Sequence, residues 1–351
     1  MCARVAVAMS GGVDSSAAAF LLKENGHSLV GITMKLFDSP SDEGQDAAAV
    51  ARQLGFDHHL VDLSHTFRCQ VMDRFVQCYE QGETPNPCVD CNRHLKFGAL
   101  LDQALALGQE KIATGHYVRL DYESGSGRWL LKKALHPEKD QSYVLYSLTQ
   151  HQLGHSLFPL GHLSKDEIRE IALGQNLVNA RKKDSQDICF IPDGDYATFI
   201  RRYTGHSYPA GPFRDEAGNL LGIHTGIVDY TIGQRRGLGV SSTQGRLYVK
   251  EVRPEENSVV LSSNESLFSR SFTASRVNWI PFDRLDSPLK LRAKVRYRMV
   301  EQPCLVEPVG EDQIRVTFEQ PQRAITPGQA VVFYDGDLVI GGATIRKGEL
   351  L

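Results

Sequence analysis

RVAVAMSGGVDSSAAAFLLKEN, residues 4–25, reads as a buried strand that passes through two glycines into a helix. Gly11 and Gly12 let the chain turn tightly and let a ligand come close to the backbone. The free N–H groups and positive dipole end of the helix that follows attract an anion such as a phosphate. Ser10 and Ser15 add hydroxyl donors, and Asp14 could hold a Mg²⁺ that bridges phosphate oxygens. The spacing fits neither G-x-x-x-x-G-K-[ST] nor G-x-G-x-x-G, which argues against a γ-phosphate-transferring P-loop and against a dinucleotide fold. A nucleotide site of another kind is the expectation.

Outward from this stretch the strand and helix readings alternate. HSLVGITMKLF (27–37) and HHLVDL (58–63) read as strands, DAAAVARQLG (46–55) as a helix between them, and EKIATGHY (110–117) as a later strand. That rhythm predicts a parallel sheet with helices on both faces. Ligands of such sheets sit beyond the carboxyl ends of the strands, so the segments after RVAVAM, Met34 and Thr114 are expected to face one cleft. YESGSGRWLLKKAL (122–135) reads as a hairpin, and Ser164 with Glu167 forms a capping box that starts another helix. From about Gly205 the texture changes to Gly, Pro, Thr and short alternating strands. We expect an α/β domain over 1–203, a central β-rich domain over 204–272 and a second β-rich domain over 273–351.

The chain has 351 residues, with hydrophobic residues at 41% and charged residues at 23%, which suits two or three soluble globular units with real cores. No apolar run approaches the ~18 residues of a membrane span, and the N-terminus lacks a cleavable leader pattern. The expected location is cytoplasmic, with no membrane partner. The formal net charge of −3 gives no global sign of a polyanion binder, so any basic surface must be a local patch. Arg292, Lys294, Arg296 and Arg298 alternate with Leu291, Ala293, Val295 and Tyr297, which would put four cations on one strand face. Such a face suits a phosphate backbone, and equally a charge-protected edge strand. Arg181-Lys182-Lys183, Arg201-Arg202 and Arg235-Arg236 add further clusters.

Seven cysteines, an odd number spread along the chain, argue against a secreted disulfide framework. Cys88 and Cys91 form C-x-x-C just before the helical stretch NRHLKFGALLDQALALG, whose dipole is expected to lower a thiol pKa. The motif has three uses: a redox dithiol, half of a zinc site, or part of an iron–sulfur site. No second C-x-x-C or C-x-x-H pair is present to complete a zinc site. Cys69 and Cys78 lie in HTFRCQVMDRFVQCYE, whose apolar stripe reads as a helix with both thiols near the core. Cys2 and Cys304 stay unassigned. His116, at a predicted strand end, reads as either structural or functional.

SGGVDS (10–15) resembles the PP-loop of ATP pyrophosphatases, which cleave ATP between the α and β phosphates and adenylate a substrate. Around it stand TPNPCVDCNRHLKF (84–97), ATGHYVR (113–119), KDQSYVLY (139–146), DSQDICFIP (184–192), GQRRGLG (233–239) and PGQAVVFYDGD (327–337). Together these resemble the tRNA-specific 2-thiouridylase family over essentially the whole chain. The resemblance implies an adenine-nucleotide α-hydrolase-like PP-loop domain followed by two smaller β-rich domains, the last a β-barrel that binds tRNA. It implies ATP-dependent adenylation of the C2 oxygen of the wobble uridine, followed by sulfur transfer.

By the same resemblance Ala8, Met9, Ser10, Gly11, Gly12, Val13, Asp14, Ser15, Met34 and Gly115 bind ATP, with Asp14 in a catalytic role and Mg²⁺ as its partner. Asn86, Pro87, Cys88, His116, Lys139, Asp140, Gln141, Arg296, Tyr297 and Gln329 contact tRNA. Cys189 carries a persulfide that delivers sulfur, and Cys91 is the nucleophile that completes transfer, leaving a disulfide; the implied sulfur source is a donor protein or sulfide. Position 88 departs from many family members, which often carry Asp there. A second reading therefore stays open, in which Cys88, Cys91 and Cys189 hold a 4Fe-4S cluster that binds sulfide. Two rivals lie further away: another PP-loop adenylating synthetase, for which C-x-x-C has no use, and a noncatalytic tRNA- or sulfur-carrier-binding module.

Overall fold

The computed structural model describes residues 2–37, 44–182, 188–242 and 245–348, so Lys183 and residues 184–187 of the DSQDICFIP segment lie outside it. In chain order the strands are β1 (Arg4–Ala8), β2 (Ser28–Lys35), β3 (His58–Asp62), β4 (Lys111–Ala113), β5 (Val118–Glu123), β6 (Arg128–Lys133) and β7 (Ser156–Leu157). They continue with β8 (Gly211–Arg214), β9 (Leu220–His224), β10 (Tyr248–Arg253), β11 (Ser258–Ser262) and β12 (Phe268–Trp279). The last five are β13 (Leu289–Lys294), β14 (Gln302–Gly310), β15 (Gln313–Arg323), β16 (Ala330–Asp335) and β17 (Leu338–Ile345).

The first sheet has the order β3-β2-β1-β4-β7, and every pairing in it is parallel. The period-two alternation of β1 sends Val5 and Val7 to one face and Ala6 to the other. On the first face Val5 and Val7 pack against helices Val13–Glu24, Gln45–Leu54 and Lys165–Gly174 through Ala17, Leu22, Val50 and Ile168. On the second Ala6 joins Phe67, Leu95, Phe97 and Leu101. The chain runs outward from β1 through β2 to β3, then returns to β4 on the other side. That reversal between β1 and β4 is the topological switch point where open α/β sheets bind ligands. The predicted capping box is present: Glu167 N–H donates to Ser164 Oγ at 3.2 Å and Ser164 N–H to Glu167 Oε2 at 2.7 Å.

The central sheet, β10-β11-β8-β9, has its own small core of Phe213, Val249, Val252, Val259 and Leu261. Strands β12, β15, β14, β13, β16 and β17 form a third sheet that closes on itself by the β12–β17 pairing, a six-stranded barrel filled by Phe272, Leu291, Val316, Phe318 and Phe333. β12 runs through residue 272, where the sequence reading placed a boundary, so the barrel takes residues from 268 onward.

The predicted hairpin is β5–β6, and its partner is unexpected. β6 pairs with β17 at Leu338 and Lys132, so a hairpin of the first domain extends the barrel's sheet. The second core of the first domain likewise continues into Ile280, Val332 and Tyr334 of the barrel. The two domains therefore share apolar burial, and the barrel is held rigidly against the parallel sheet.

Two readings are corrected. The strand that begins at Leu289 ends at Lys294, because its partner β14 starts only at Gln302 and the chain turns between them, with Met299 N–H on the Arg296 carbonyl at 3.2 Å. Arg296 and Arg298 lie in that turn and do not share a strand face with Arg292 and Lys294. Cys69 is exposed although Cys78 is buried, since the helical stretch turns Cys69 outward beside His65.

Candidate active site

The glycine turn sits at the end of β1. Met9 N–H bonds the Ile32 carbonyl at 2.8 Å, and the Met9 carbonyl accepts from Thr33 Oγ1 at 2.7 Å, which ties the turn to β2. Gly11 has φ of +69°, a conformation that favours glycine. Gly12 is the N-cap of helix Val13–Glu24 and supplies no side-chain cap, so the helix's first N–H groups have no capping partner within it. Ser15 Oγ donates to the Gly12 carbonyl at 3.1 Å and accepts from Ser10 N–H at 3.2 Å. Gly115, just past β4, is fixed by sterics: a Cβ there would lie 2.9 Å from the Asp14 carbonyl carbon and from Ser15 N. The resulting cradle of uncapped donors at a switch point fits the phosphates of a nucleotide.

Three residues that the sequence reading missed complete it. Asp14 Oδ1 accepts from Lys165 Nζ at 2.6 Å and from Tyr117 Oη at 2.7 Å, and the Lys165 ammonium is buried. Asn179 Nδ2 donates to the Gly11 carbonyl at 3.0 Å and to Ser16 Oγ at 2.9 Å. All three come from more than 100 residues away, and the only local signal was the capping box that placed Lys165 at a helix start. Lys182 of the basic cluster pairs with Asp46 at 2.7 Å beside Gly11.

The thiols stand on a second element. Asn86 caps the short helix Pro87–Asp90 by accepting Val89 N–H on Oδ1 at 3.4 Å, and Pro87 occupies a first-turn position. Cys88 is exposed, and Cys91 is half-buried at the start of a π-helical stretch, Cys91–Ala99. Cys91 and Phe190, the neighbour of Cys189, pack against the same apolar core as Ala8 and Met34. All seven cysteines are free.

The expected lowering of a thiol pKa is reversed. Cys88 and Cys189 keep accessible surface, but the protein packed around all three thiols displaces much of their hydration, which raises Cys88 and Cys91 and pushes Cys189 up to about 12, with the other two thiols adding to the rise at Cys189. The partial charge at the start of the helical run that opens at Asn86 and continues from Pro87–Asp90 into Cys91–Ala99 is outweighed by desolvation. Among the described residues Lys96 is the cation that acts on all three thiols in the favourable direction. Asp90, itself raised to about 6 by burial and bridged to Arg74 at 3.0 Å, acts on Cys88 and Cys91 in the opposite sense.

Because both thiols titrate above the ordinary range, alkylation of Cys91 should be slow at neutral pH and accelerate as pH rises. Lys96→Met should slow it further and Asp90→Asn should speed it, each by about 3- to 10-fold at pH 8. Peptide-resolved iodoacetamide labelling measures both; shifts in the same direction would refute the opposed charges.

Among the described residues no three His, Cys, Asp or Glu side chains converge on a common ion position. Cys88, Cys91 and Cys189 are electrostatic neighbours but do not form the three-thiol cage a 4Fe-4S cluster would use.

The positions expected at tRNA gather around the same place, mostly with side chains engaged by protein. Asp140 accepts Ala134 N–H at 3.0 Å and Ser142 Oγ at 2.7 Å, and Gln141 Oε1 accepts Tyr117 N–H at 3.0 Å. Tyr297, 42% exposed, donates to the Asp140 carbonyl at 3.1 Å and lies close enough to Cys88 to feel its charge. Gln329 Nε2 bonds the Thr84 and Pro85 carbonyls at 2.9 and 3.0 Å, next to Asn86. His116 is buried between Phe97 and Phe158, takes a 2.8 Å hydrogen bond with Thr114, and is held neutral by burial that pushes its pKa well down. The Arg296 guanidinium turns inward to the Ala324 carbonyl at 2.6 Å.

Three family profiles match in sequence: one described as tRNA methyl transferase HUP domain over residues 3–193, one as tRNA methyl transferase PRC-barrel domain over 197–263, and one as aminomethyltransferase beta-barrel domain over 269–345. The chain is 48% identical to tRNA-specific 2-thiouridylase MnmA 1 of Caldanaerobacter subterraneus subsp. tengcongensis, with 98% of each covered. It is 49% identical to MnmA 2 of Thermoanaerobacter sp. strain X514 and 44% identical to MnmA of Clostridioides difficile strain 630, again over 98% of both partners. With two relatives near half identity end to end and the first profile matching over 3–193, the chain belongs to the tRNA-specific 2-thiouridylase family.

Proposed function

We propose that this chain uses ATP to thiolate C2 of the wobble uridine of tRNA. The observation that supports the reading is that Cys91, and Phe190 next to Cys189, pack against the same apolar core as Ala8 and Met34, near the carboxyl ends of β1, which leads to the glycine turn, and β2. Methyl transfer, the activity in two of the profile descriptions, needs neither these cysteines nor that turn.

ATP supplies the activating group: the uridine C2 oxygen takes the adenylyl phosphorus and pyrophosphate departs. The uncapped N–H groups at the start of helix Val13–Glu24 hold the phosphate oxygens. Tyr117 and Lys165 both donate to Asp14 Oδ1, and through Oδ2 Asp14 would hold a Mg²⁺, which would supply charge neutralisation at the phosphates. Cys189 carries the transferable sulfur as a persulfide, its outer sulfur received from a persulfide-donating protein whose own thiol is released. The outer sulfur attacks C2 and AMP leaves with the C–O electron pair. The Cys91 thiolate then attacks Cys189 Sγ. The Sγ–S bond breaks, its electrons go to the sulfur on the base, and a Cys91–Cys189 disulfide remains for an external dithiol to reduce. The uridine must leave its stack to meet the cradle, and the barrel and central domain hold the rest of the anticodon arm.

The test measures pyrophosphate released from ATP and 2-thiouridine in digested tRNA. We expect release that depends on tRNA and 2-thiouridine that depends on a persulfide source. Release without tRNA, or no thionucleoside with a competent donor, would overturn the reading.

For backbone contact the structure favours Arg235 and Arg236, which are exposed, over Arg201, whose guanidinium is committed to both oxygens of Asp229. Replacing Arg235 and Arg236 with alanine should lower the slope of log affinity against log salt by about 1–2. An unchanged slope in filter binding would remove them from the interface.

A further inference from the structure

The barrel turn that carries Gln329 is bonded to the segment leading into the thiols. Gln329 Nε2 donates to the carbonyls of Thr84 and Pro85, and Thr84 N–H donates to the Pro327 carbonyl at 2.9 Å. Gly328, at φ of +87°, lets the strands close: a Cβ there would stand 3.0 Å from the Thr84 carbonyl oxygen and from Glu83 Cβ. Arg296 braces the turn from behind, with Nη2 on the Ala324 carbonyl at 2.6 Å and on Thr326 Oγ1 at 3.3 Å. One residue beyond Pro85 the cap at Asn86 opens the helix that bears Cys88 and delivers Cys91.

We propose that the barrel turn at 324–329 is a clamp that sets the C-x-x-C turn, with Gln329 as its positioning residue. The clamp has a physical rationale in the strap it grips. Thr84 and Pro85 belong to no helix or strand, Pro85 and Pro87 donate no backbone hydrogen bond, and the carbonyls of 84 and 85 would otherwise have to find water. Gln329 satisfies both with one amide, so the strap is fixed from the far end of the chain. A tRNA seated on the barrel then acts on the nucleophile's position through the same turn.

The proposal rests on the thiolation reading only for its activity readout. The other readouts need no RNA chemistry. In the full-length protein, Gln329→Ala should raise the labelling rates of Cys88 and Cys91 several-fold without RNA, with Cys2 and Cys69 unchanged as internal controls. It should cut kcat for thiolation by about 10- to 100-fold, as a misplaced reacting group does, while the tRNA dissociation constant stays within about threefold. Gly328→Ala, which removes no polar group, should reproduce both effects through the crowded strap. Weakened tRNA binding with unchanged thiol labelling would make Gln329 an RNA contact and overturn the clamp, as would unchanged labelling and kcat together. If thiolation proves not to be the activity, the labelling comparison still decides the clamp by itself.

Discussion

Serine at Cys91 or at Cys189 is expected to lower 2-thiouridine formation by about 10³-fold or more, because Cys189 carries the transferred sulfur and Cys91 releases it by attacking Cys189 Sγ, and a hydroxyl does neither. Pyrophosphate release in the presence of tRNA should continue in both variants, since adenylation precedes any step at sulfur. Cys88→Ser should keep substantial activity. Cys88 is exposed, has no step in the persulfide scheme, and its removal takes away one of the groups that raise Cys91 and Cys189. The three variants are compared in one assay with a persulfide-generating donor, reading the thionucleoside and pyrophosphate in parallel. Equal loss in all three would point to a shared thiol unit and sink the division of labour; loss of pyrophosphate release in Cys91→Ser would place that residue in the nucleotide site instead.

The parts of this molecule that were legible in the sequence are those set by neighbours along the chain. The strand, glycine turn and helix of 4–25 follow from period-two and helical spacing, and the Ser164 capping box from two residues three apart. What escaped was decided at long range. Lys165 and Tyr117 meet at Asp14 only because the helix after Ser164 packs on the first helix and β4 lies beside β1. The hairpin β5–β6 was readable, but its pairing with β17 joins Lys132 to Leu338, which no local pattern encodes.

The alternation of cations from Arg292 to Arg298 continued past the end of its strand, because the alternation is a property of the residues and the strand's length a property of its partners. The helix-dipole argument for reactive thiols failed for a related reason. It counted a charge that sequence reveals and missed a desolvation that only packing reveals, and at Cys88, Cys91 and Cys189 burial is the larger effect.

Gly12→Val is expected to reduce tRNA-dependent pyrophosphate release by about 10²-fold or more while the protein stays folded. The separation of those two effects follows from the geometry. Gly12 has φ −90° and ψ 163°, a conformation valine favours, and a Cβ there would touch only Ser10 Oγ, at 3.4 Å. The cost to the fold is that of a poorer N-cap, about 1 kcal/mol or less. The cost to function is larger, because two methyl groups would stand where phosphate oxygens must reach the backbone N–H groups.

The neighbouring substitutions lack this separation. Gly11 needs its positive φ, and Gly115→Ala drives a Cβ into the Asp14 and Ser15 backbone. Asp14→Asn removes a charge partner of the buried Lys165 ammonium, a loss of about 1–3 kcal/mol that would mix stability with catalysis. A melting temperature within a few degrees of wild type, together with lost pyrophosphate release, would identify the turn as the phosphate cradle. Near-normal turnover in a folded Gly12→Val protein would move ATP away from the end of β1 altogether.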